Sequence, residues 1–411
     1  MRQTTYAVDN SAILYLALMR KRHTNIFRFT MHMTEPVDPD SLNQAMERVW
    51  RRFPTIVCGF RPDLFGFTQV PAPEPPRAQP DPGILHMMTR QEITRCAYRL
   101  YYRENDIIFE SFHAVTDGFG SIASFTTLVA EYLRIRHGVQ IPVELTLRDL
   151  DEEPQAHELE DSYLRSCDAE PMHIKSRYSY QLPGKYEEPI VRHISRSYPI
   201  EATLAAARSL GVSLTTMLNG VMALAVMDVQ KCHRRKLLPV RIMVPADLRR
   251  VFSSTTLRNF ILYALPTMEP GEENLPLPQL LASFQKQTKE QLNPDRLRSI
   301  VAYNVKTQGN PFFRAIPRTL KCAAMRTAYK YFGESNSSIT LTNLGNVRFP
   351  AAMDPYIRGL DVILTPRAGS PYNCGVLACK DRLNITISRF AEHPELEDLF
   401  FSRLEQIMET V

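Results

Sequence analysis

From Asn25 to Met33 apolar and polar side chains alternate, with Phe27, Phe29, Met31 and Met33 on one side and Arg28, Thr30 and His32 on the other. A period of two predicts a strand. Asp38-Pro39-Asp40-Ser41 supplies a cap and a first-turn proline, and Leu42, Ala45, Met46, Val49 and Trp50 then recur at helical spacing. That helix ends at Arg51-Arg52-Phe53-Pro54, because the residue before a proline disfavours the helical region. A short helix is expected over 8–20. Residues 71–83 (PAPEPPRAQPDPG) read as a proline-rich surface loop. A hairpin follows, with arms over 95–103 and 107–113 and a turn at Glu104-Asn105-Asp106. On its second arm Ile107, Phe109, Ser111 and His113 share one face, and Ile108, Glu110 and Phe112 the other. After the loop Ala114–Gly118, an amphipathic helix presents Ile122, Phe125, Val129, Tyr132 and Leu133 on its apolar side.

Residues 138–190 carry the weakest pattern: an acidic run from Asp149 to Glu153, scattered tyrosines, Pro183-Gly184 and Pro189. Beyond them the periodicity predicts a strand over 193–198, a helix over 200–210 and a very apolar helix over 213–229. A strand over 240–244 stops at Pro245. Helices follow over 278–292 and 317–332, strands over 338–343, 357–365, 372–378 and 383–390, and a closing amphipathic helix over 394–408. Strands and helices mixed in both halves predict an α/β or α+β fold of two lobes, with a large mixed sheet in each. The expected partition is a first lobe over 1–165, a crossover linker over 166–190 and a second lobe over 191–411.

Length and composition fit this picture. The 411 residues exceed one ordinary core and suit two lobes. At 44% apolar and 23% charged residues the chain is globular rather than disordered. The net charge of +5 suits a phosphate-bearing co-substrate or an acidic carrier protein, and equally a plain solvated surface. It is too small and scattered for a nucleic-acid surface. Seven cysteines, with no CxxC spacing, read as reduced thiols of a cytoplasmic protein and argue against zinc. The apolar patch Ala12–Met19 is too short for stable membrane insertion and no cleavage site follows it. There is no GxxxxGK[ST] loop, no complete GxGxxG, no GxSxG elbow and no HExxH.

The strongest local chemical signal is His113-Ala114-Val115-Thr116-Asp117-Gly118, an HxxxDG pattern. The histidine ends a strand and the glycine opens a helix. That junction holds an imidazole on rigid backbone at a sheet edge. With an ordinary pKa near ~6.5, it suits proton transfer at neutral pH. The Asp117 carboxylate is expected to point away from the ring and to need a cationic partner. Gly118 permits close backbone approach, and its N–H at a helix start is a candidate to face developing negative charge. The plainer alternatives stay open: a hydrogen-bonded structural histidine, a helix-capping aspartate and a turn glycine.

Several segments, in order, resemble the CoA-dependent acyltransferase superfamily of chloramphenicol acetyltransferase, alcohol acetyltransferases, condensation domains and polyketide-associated acyltransferases. They are Arg52-Phe53-Pro54, the HxxxDG element, Pro245-Ala246-Asp247-Leu248-Arg249 with Asn259-Phe260, Leu341-Thr342-Asn343-Leu344-Gly345, and Leu383–Phe390. The resemblance implies two chloramphenicol acetyltransferase-like lobes with an active-site tunnel between them and His113 mid-tunnel as general base. It makes Asp117 structural, with Arg249 the candidate partner, and Asn343 a candidate tunnel-lining or oxyanion-binding residue. A turn-forming role is the alternative for Asn343. Phe112 stands where peptide-forming condensation domains carry a second histidine, and Arg258 and Thr342 depart from the commoner glycine and serine. The implied activity is transfer of an acetyl or other short acyl group from acyl-CoA, a co-substrate rather than a bound cofactor, to an alcohol, with no metal. Two alternatives are a stand-alone condensation-type enzyme using a donor on an acyl carrier protein, and a non-catalytic acyl-binding relative.

Overall fold

The computed structural model describes residues 4–20, 25–184, 190–367, 370–392 and 394–410, so Pro189 of the expected crossover lies outside the described residues. The first sheet runs in the order Ile357–Leu364, Ile26–Met33, Asp106–Phe112, Tyr98–Arg103, Gln79–Pro80. The hairpin turn sits on Glu104, at φ 46°, and Asn105. Phe27 lies opposite Ser111, Arg28 opposite Glu110 and Phe29 opposite Phe109. Onto the Phe29/Phe109 face packs helix Gly118–His137, whose Phe125 ring is 6.5 Å from Phe29 and 5.7 Å from Phe109. Helix Pro39–Arg52, capped by Asp38, lies beside it.

Two expectations about polarity are corrected. Helix Gly118–His137 is not half-exposed: every residue from Gly120 to Leu133 is buried. Its hydroxyls return to the helix backbone, with Ser121, Thr126 and Thr127 donating to the carbonyls of Asp117, Ile122 and Ala123 at 2.6–2.7 Å. A hydroxyl-bearing face satisfied in this way can be buried. The polar face of the central strands is buried too. Arg28 donates to Glu110 at 2.8 Å and to Asp81 at 3.0 Å, and Arg99 donates to Glu110 at 3.0 Å.

The second sheet has the order Ile261–Ala264, Val240–Asp247, Ile339–Val347, Tyr372–Cys379, Arg382–Arg389, Arg192–Pro199. Strand Ile339–Val347 is parallel to both neighbours and the remaining pairs are antiparallel. Helices Leu214–His233, Leu277–Gln291 and Glu395–Thr410 close its core. Strand Val240–Asp247 does not stop at Pro245. Beyond Met243 it has a neighbour on one side only, an edge-like position that tolerates proline.

Sheet membership crosses the linear partition. Strand Ile357–Leu364 pairs with Ile26–Met33 and so completes the first sheet from the second half of the chain. Residues 166–184 contain no helix or strand and run along the second lobe, with Ser179 N–H donating to the Ser335 carbonyl at 2.9 Å and Tyr180 N–H to the Pro239 carbonyl at 2.8 Å. Among the described residues, no single helix is long and apolar enough to cross a membrane.

Candidate active site

His113 leaves the end of its strand with its N–H donating to the Asn25 carbonyl at 2.8 Å. The next turn closes when Val115 N–H donates to the Phe112 carbonyl. Asn259, from the opposite lobe, donates its side-chain amide to the carbonyls of His113 and Ala114 at 3.1 and 3.3 Å. Thr116 donates its hydroxyl to the Leu257 carbonyl at 2.6 Å. Residues 257–259 therefore grip the histidine loop through two of its carbonyls and the Thr116 hydroxyl.

The Asp117 carboxylate is engaged by its own helix and by the second lobe. It is 2% exposed and caps its helix, accepting from the N–H groups of Phe119 and Gly120 at 3.1 and 3.4 Å. Arg249 donates to both of its oxygens, at 2.9 and 3.0 Å, and Phe260 N–H donates at 2.8 Å. The guanidinium is further held by the carbonyls of Thr256 and Arg258 and lies over the Phe119 ring at 4.5 Å. Arg249 comes from the second lobe and Asp117 from the first, so this buried pair joins the two. An opposite charge in such contact favours the charged forms, and Arg249 is raised despite the burial that pulls it down.

Gly118 sits where an added Cβ would lie 2.4 Å from Leu344 Cδ2, which brings the end of strand Ile339–Val347 against the helix start. Asn343 beside it donates its amide to the Thr215 hydroxyl at 2.9 Å and accepts from Gly345 N–H at 2.9 Å, where Gly345 has φ +76°. Its side chain is engaged with the turn and with the start of helix Leu214–His233. Arg258, in place of the commoner glycine, is buried and donates to the Ala7 carbonyl and to Gln69 Oε1.

The ring of His113 is enclosed by residues that no motif marks. Tyr15 stacks on it with centroids 4.4 Å apart at 16°, and the Tyr15 hydroxyl lies 3.4 Å from Nε2. Phe27 meets it edge-on at 5.3 Å and 87°. Nδ1 is buried and makes no hydrogen bond of regular geometry. Burial pulls the imidazole pKa below its ordinary value; its own carbonyl, the Asp117 charge, the Asn259 side chain and the Thr116 backbone push the other way and are outweighed. The ring is thus neutral at neutral pH, and the residue as a whole is only partly buried. Tyr15 has only its helix as a sequence signal, and Asn259 only its place beside Phe260. Phe27 is marked by strand alternation alone.

No family model matches the sequence, and no curated protein matches it. Solved structures do. Polyketide synthase associated protein 5 from Mycobacterium tuberculosis is similar over 98% of this chain and 97% of its own, with TM-score 0.63 and 14% identity. TRI101 of F. sporotrichioides, solved with coenzyme A and T-2, is similar over 98% and 97%, with TM-score 0.61 and 13% identity. The epimerization domain from the third module of tyrocidine synthetase B is similar over 99% and 97%, with TM-score 0.60 and 12% identity. The chain therefore has the two-lobed chloramphenicol acetyltransferase-like fold along its whole length.

Proposed function

We propose that this protein is an acyltransferase that moves an acyl group from a thioester, acyl-CoA in the first instance, to an alcohol, with His113 as general base. A fold of this kind serves more than one chemistry, so the case rests on the site. The observation that carries it is an imidazole kept neutral by burial, with a hydroxyl, that of Tyr15, 3.4 Å from Nε2. An acceptor hydroxyl taking the place of the tyrosine hydroxyl would lie where Nε2 can accept its proton. The oxygen then attacks the thioester carbon, the C–S bond breaks from the tetrahedral oxyanion, and the proton on Nε2 passes to the departing thiolate. Atoms balance as ester and free thiol, with no covalent enzyme intermediate. Gly118 N–H, the first donor of helix Gly118–His137 and left uncapped by Asp117, is the backbone group proposed for the developing negative charge. Asp117 and Arg249 are positioning residues in this scheme, and Asn343 supports the wall behind Gly118.

The test is acceptor-dependent release of free thiol from acetyl-CoA and longer acyl-CoAs, for wild type and His113→Ala. Loss of a general base costs about 10²–10⁴-fold, so release falls by that factor in a folded variant. Release that survives the substitution refutes the role of His113. Turnover only with an acylated carrier protein would move the donor to the condensation-type alternative. Acyl-thioester binding without turnover would support the non-catalytic one.

A further inference from the structure

A second site lies in the other lobe, apart from the imidazole. A cavity of about 410 Å³ opens between residues 172–175, strands Val240–Asp247 and Ile261–Ala264, and helix Pro294–Gly309. His173, Lys175, Arg241 and Arg296 line it, together with Tyr263 and Thr267, and no carboxylate does. Arg241 is 8% exposed, yet it is held only by neutral groups: the Arg177 carbonyl at 2.9 Å, Asn336 Oδ1, and the Thr267 hydroxyl at 3.3 Å. Arg296 Nε is buried without a hydrogen-bond partner. Among the described residues neither arginine nor Lys175 has a carboxylate in ion-pair range. The neighbouring Glu269 is engaged with Arg177 at 2.5 and 2.8 Å, and Asp295 with Arg298 at 3.0 Å.

Buried cations are ordinarily paired, because an unpaired buried charge is costly. Three positive side chains line this one cavity without a carboxylate among its lining, and Arg241 is depressed by its burial and by the nearby Arg177 charge. The geometry points to a binding site for a phosphate ester or diphosphate group in this cavity, with Arg241 as the buried donor, Arg296 as a half-buried one and Lys175 exposed at the rim. A ligand with two or more negative charges matches three cations better than a single carboxylate does, and guanidinium forks match phosphate oxygens. Apolar neighbours, Leu265 and Ile300 among them, leave room for the non-polar body to which the phosphate is attached.

The site also has a defined relation to His113. Strand Ile261–Ala264 begins two residues after Asn259, which holds the histidine loop, and reaches the cavity at Tyr263. Four residues of extended chain span about 13 Å, within the reach of one elongated substrate. The site needs no acyl-transfer chemistry; it rests on that chemistry only for which substrate brings the phosphate.

Calorimetric titration of the full-length protein with pyrophosphate, at constant ionic strength, tests it directly. Wild type and His113→Ala bind alike, and acetate binds far more weakly. Arg296→Gln and Lys175→Gln, both on surface-reaching side chains, each weaken pyrophosphate about tenfold or more, the usual effect of losing a charged hydrogen bond. Displacement by free CoA assigns the phosphate to the donor. CoA binding without displacement assigns it to the acceptor, and either leaves the anion site standing. No heat with wild type, or unchanged affinity in the folded double variant, overturns it. Thiol release, measured separately, reports on His113 whichever way the titration falls.

Discussion

Replacing Asp117 with asparagine keeps the side-chain shape and removes the charge between the lobes. The carboxylate accepts from Phe119, Gly120 and Phe260 N–H groups and from two nitrogens of Arg249. Asparagine has one oxygen to offer and turns an N–H₂ toward other donors. Removing one partner of a buried pair costs about 3–5 kcal/mol, because the surviving charge stays buried. Arg249 retains Asp247 at 2.8 Å, a carboxylate with 45% of its side chain exposed, so the lower end, about 3 kcal/mol, is expected. At about 2–4 °C per kcal/mol for a lobe of this size, melting falls by roughly 6–12 °C. The histidine loop is held from both ends by this pair and by Asn259, so catalysis suffers indirectly: a misplacement near 1 Å can cost about 10²-fold. Scanning calorimetry and thiol release on the same preparation read both effects. Asp247→Asn, at the exposed end, is the control and costs less than about 1 kcal/mol. An Asp117→Asn protein that melts within about 2 °C of wild type and turns over at full rate would refute the cross-lobe role.

Because His113 must be neutral to accept a proton and burial lowers its pKa, the acid limb of kcat/KM has its midpoint below 6.5; a midpoint at or above neutrality would contradict control by burial. His32 is gripped by Asp106 at 2.7 Å and Asp361 at 2.9 Å, and those hydrogen bonds push its pKa to about 9. A folded pKa above the unfolded value near ~6.5 means the clamp contributes fully below 6.5 and is lost as pH rises through 9. Denaturant midpoints of wild type therefore drop over that window, and those of His32→Gln stay flatter. Gly120→Ala is more damaging than Gly118→Ala: its Cβ would meet the Leu257 carbonyl oxygen at 2.1 Å, whereas at Gly118 the obstacle is the end of the Leu344 side chain. Melting measurements should place Gly118→Ala near the usual ~1–3 kcal/mol of overpacking, restored in part by Leu344→Ala, with Gly120→Ala beyond it.

What the sequence discloses follows the range of each interaction. His113, Asp117 and Gly118 are contiguous, and alternation along one strand followed by helical spacing places them on a strand–loop–helix junction. Arg249 lies 132 residues from Asp117, so nothing local connects the two; only the resemblance in its segment suggests it. Tyr15 is an ordinary member of a short helix until tertiary packing brings it over the imidazole. Strand Ile357–Leu364 is recognisable as a strand, but periodicity does not name a neighbour, and its place beside Ile26–Met33 is decided by which edge is open. The same limit applies to polarity. Arg28, Ser121 and Thr127 look like solvent-facing residues, and all are buried because each finds its partner inside the protein.

That inward polar face determines where the imidazole stands. A one-residue slip between two strands turns every side chain to the opposite face. Strands Ile26–Met33 and Asp106–Phe112 cannot slip cheaply, because both of their faces are specified. On one face Phe29 and Phe109 pack against Phe125, and Phe27 meets Phe109 edge-on. On the other, Glu110 is shared between Arg28 and Arg99, and Arg28 also engages Asp81. A slip would bury Glu110 among phenylalanines and leave two guanidiniums without their shared carboxylate, and each such loss is costly. His113 follows directly on this strand, three residues beyond Glu110. Its face, its height at the sheet edge and its stacking on Tyr15 are therefore inherited from a register locked by charge on one side and by aromatic packing on the other.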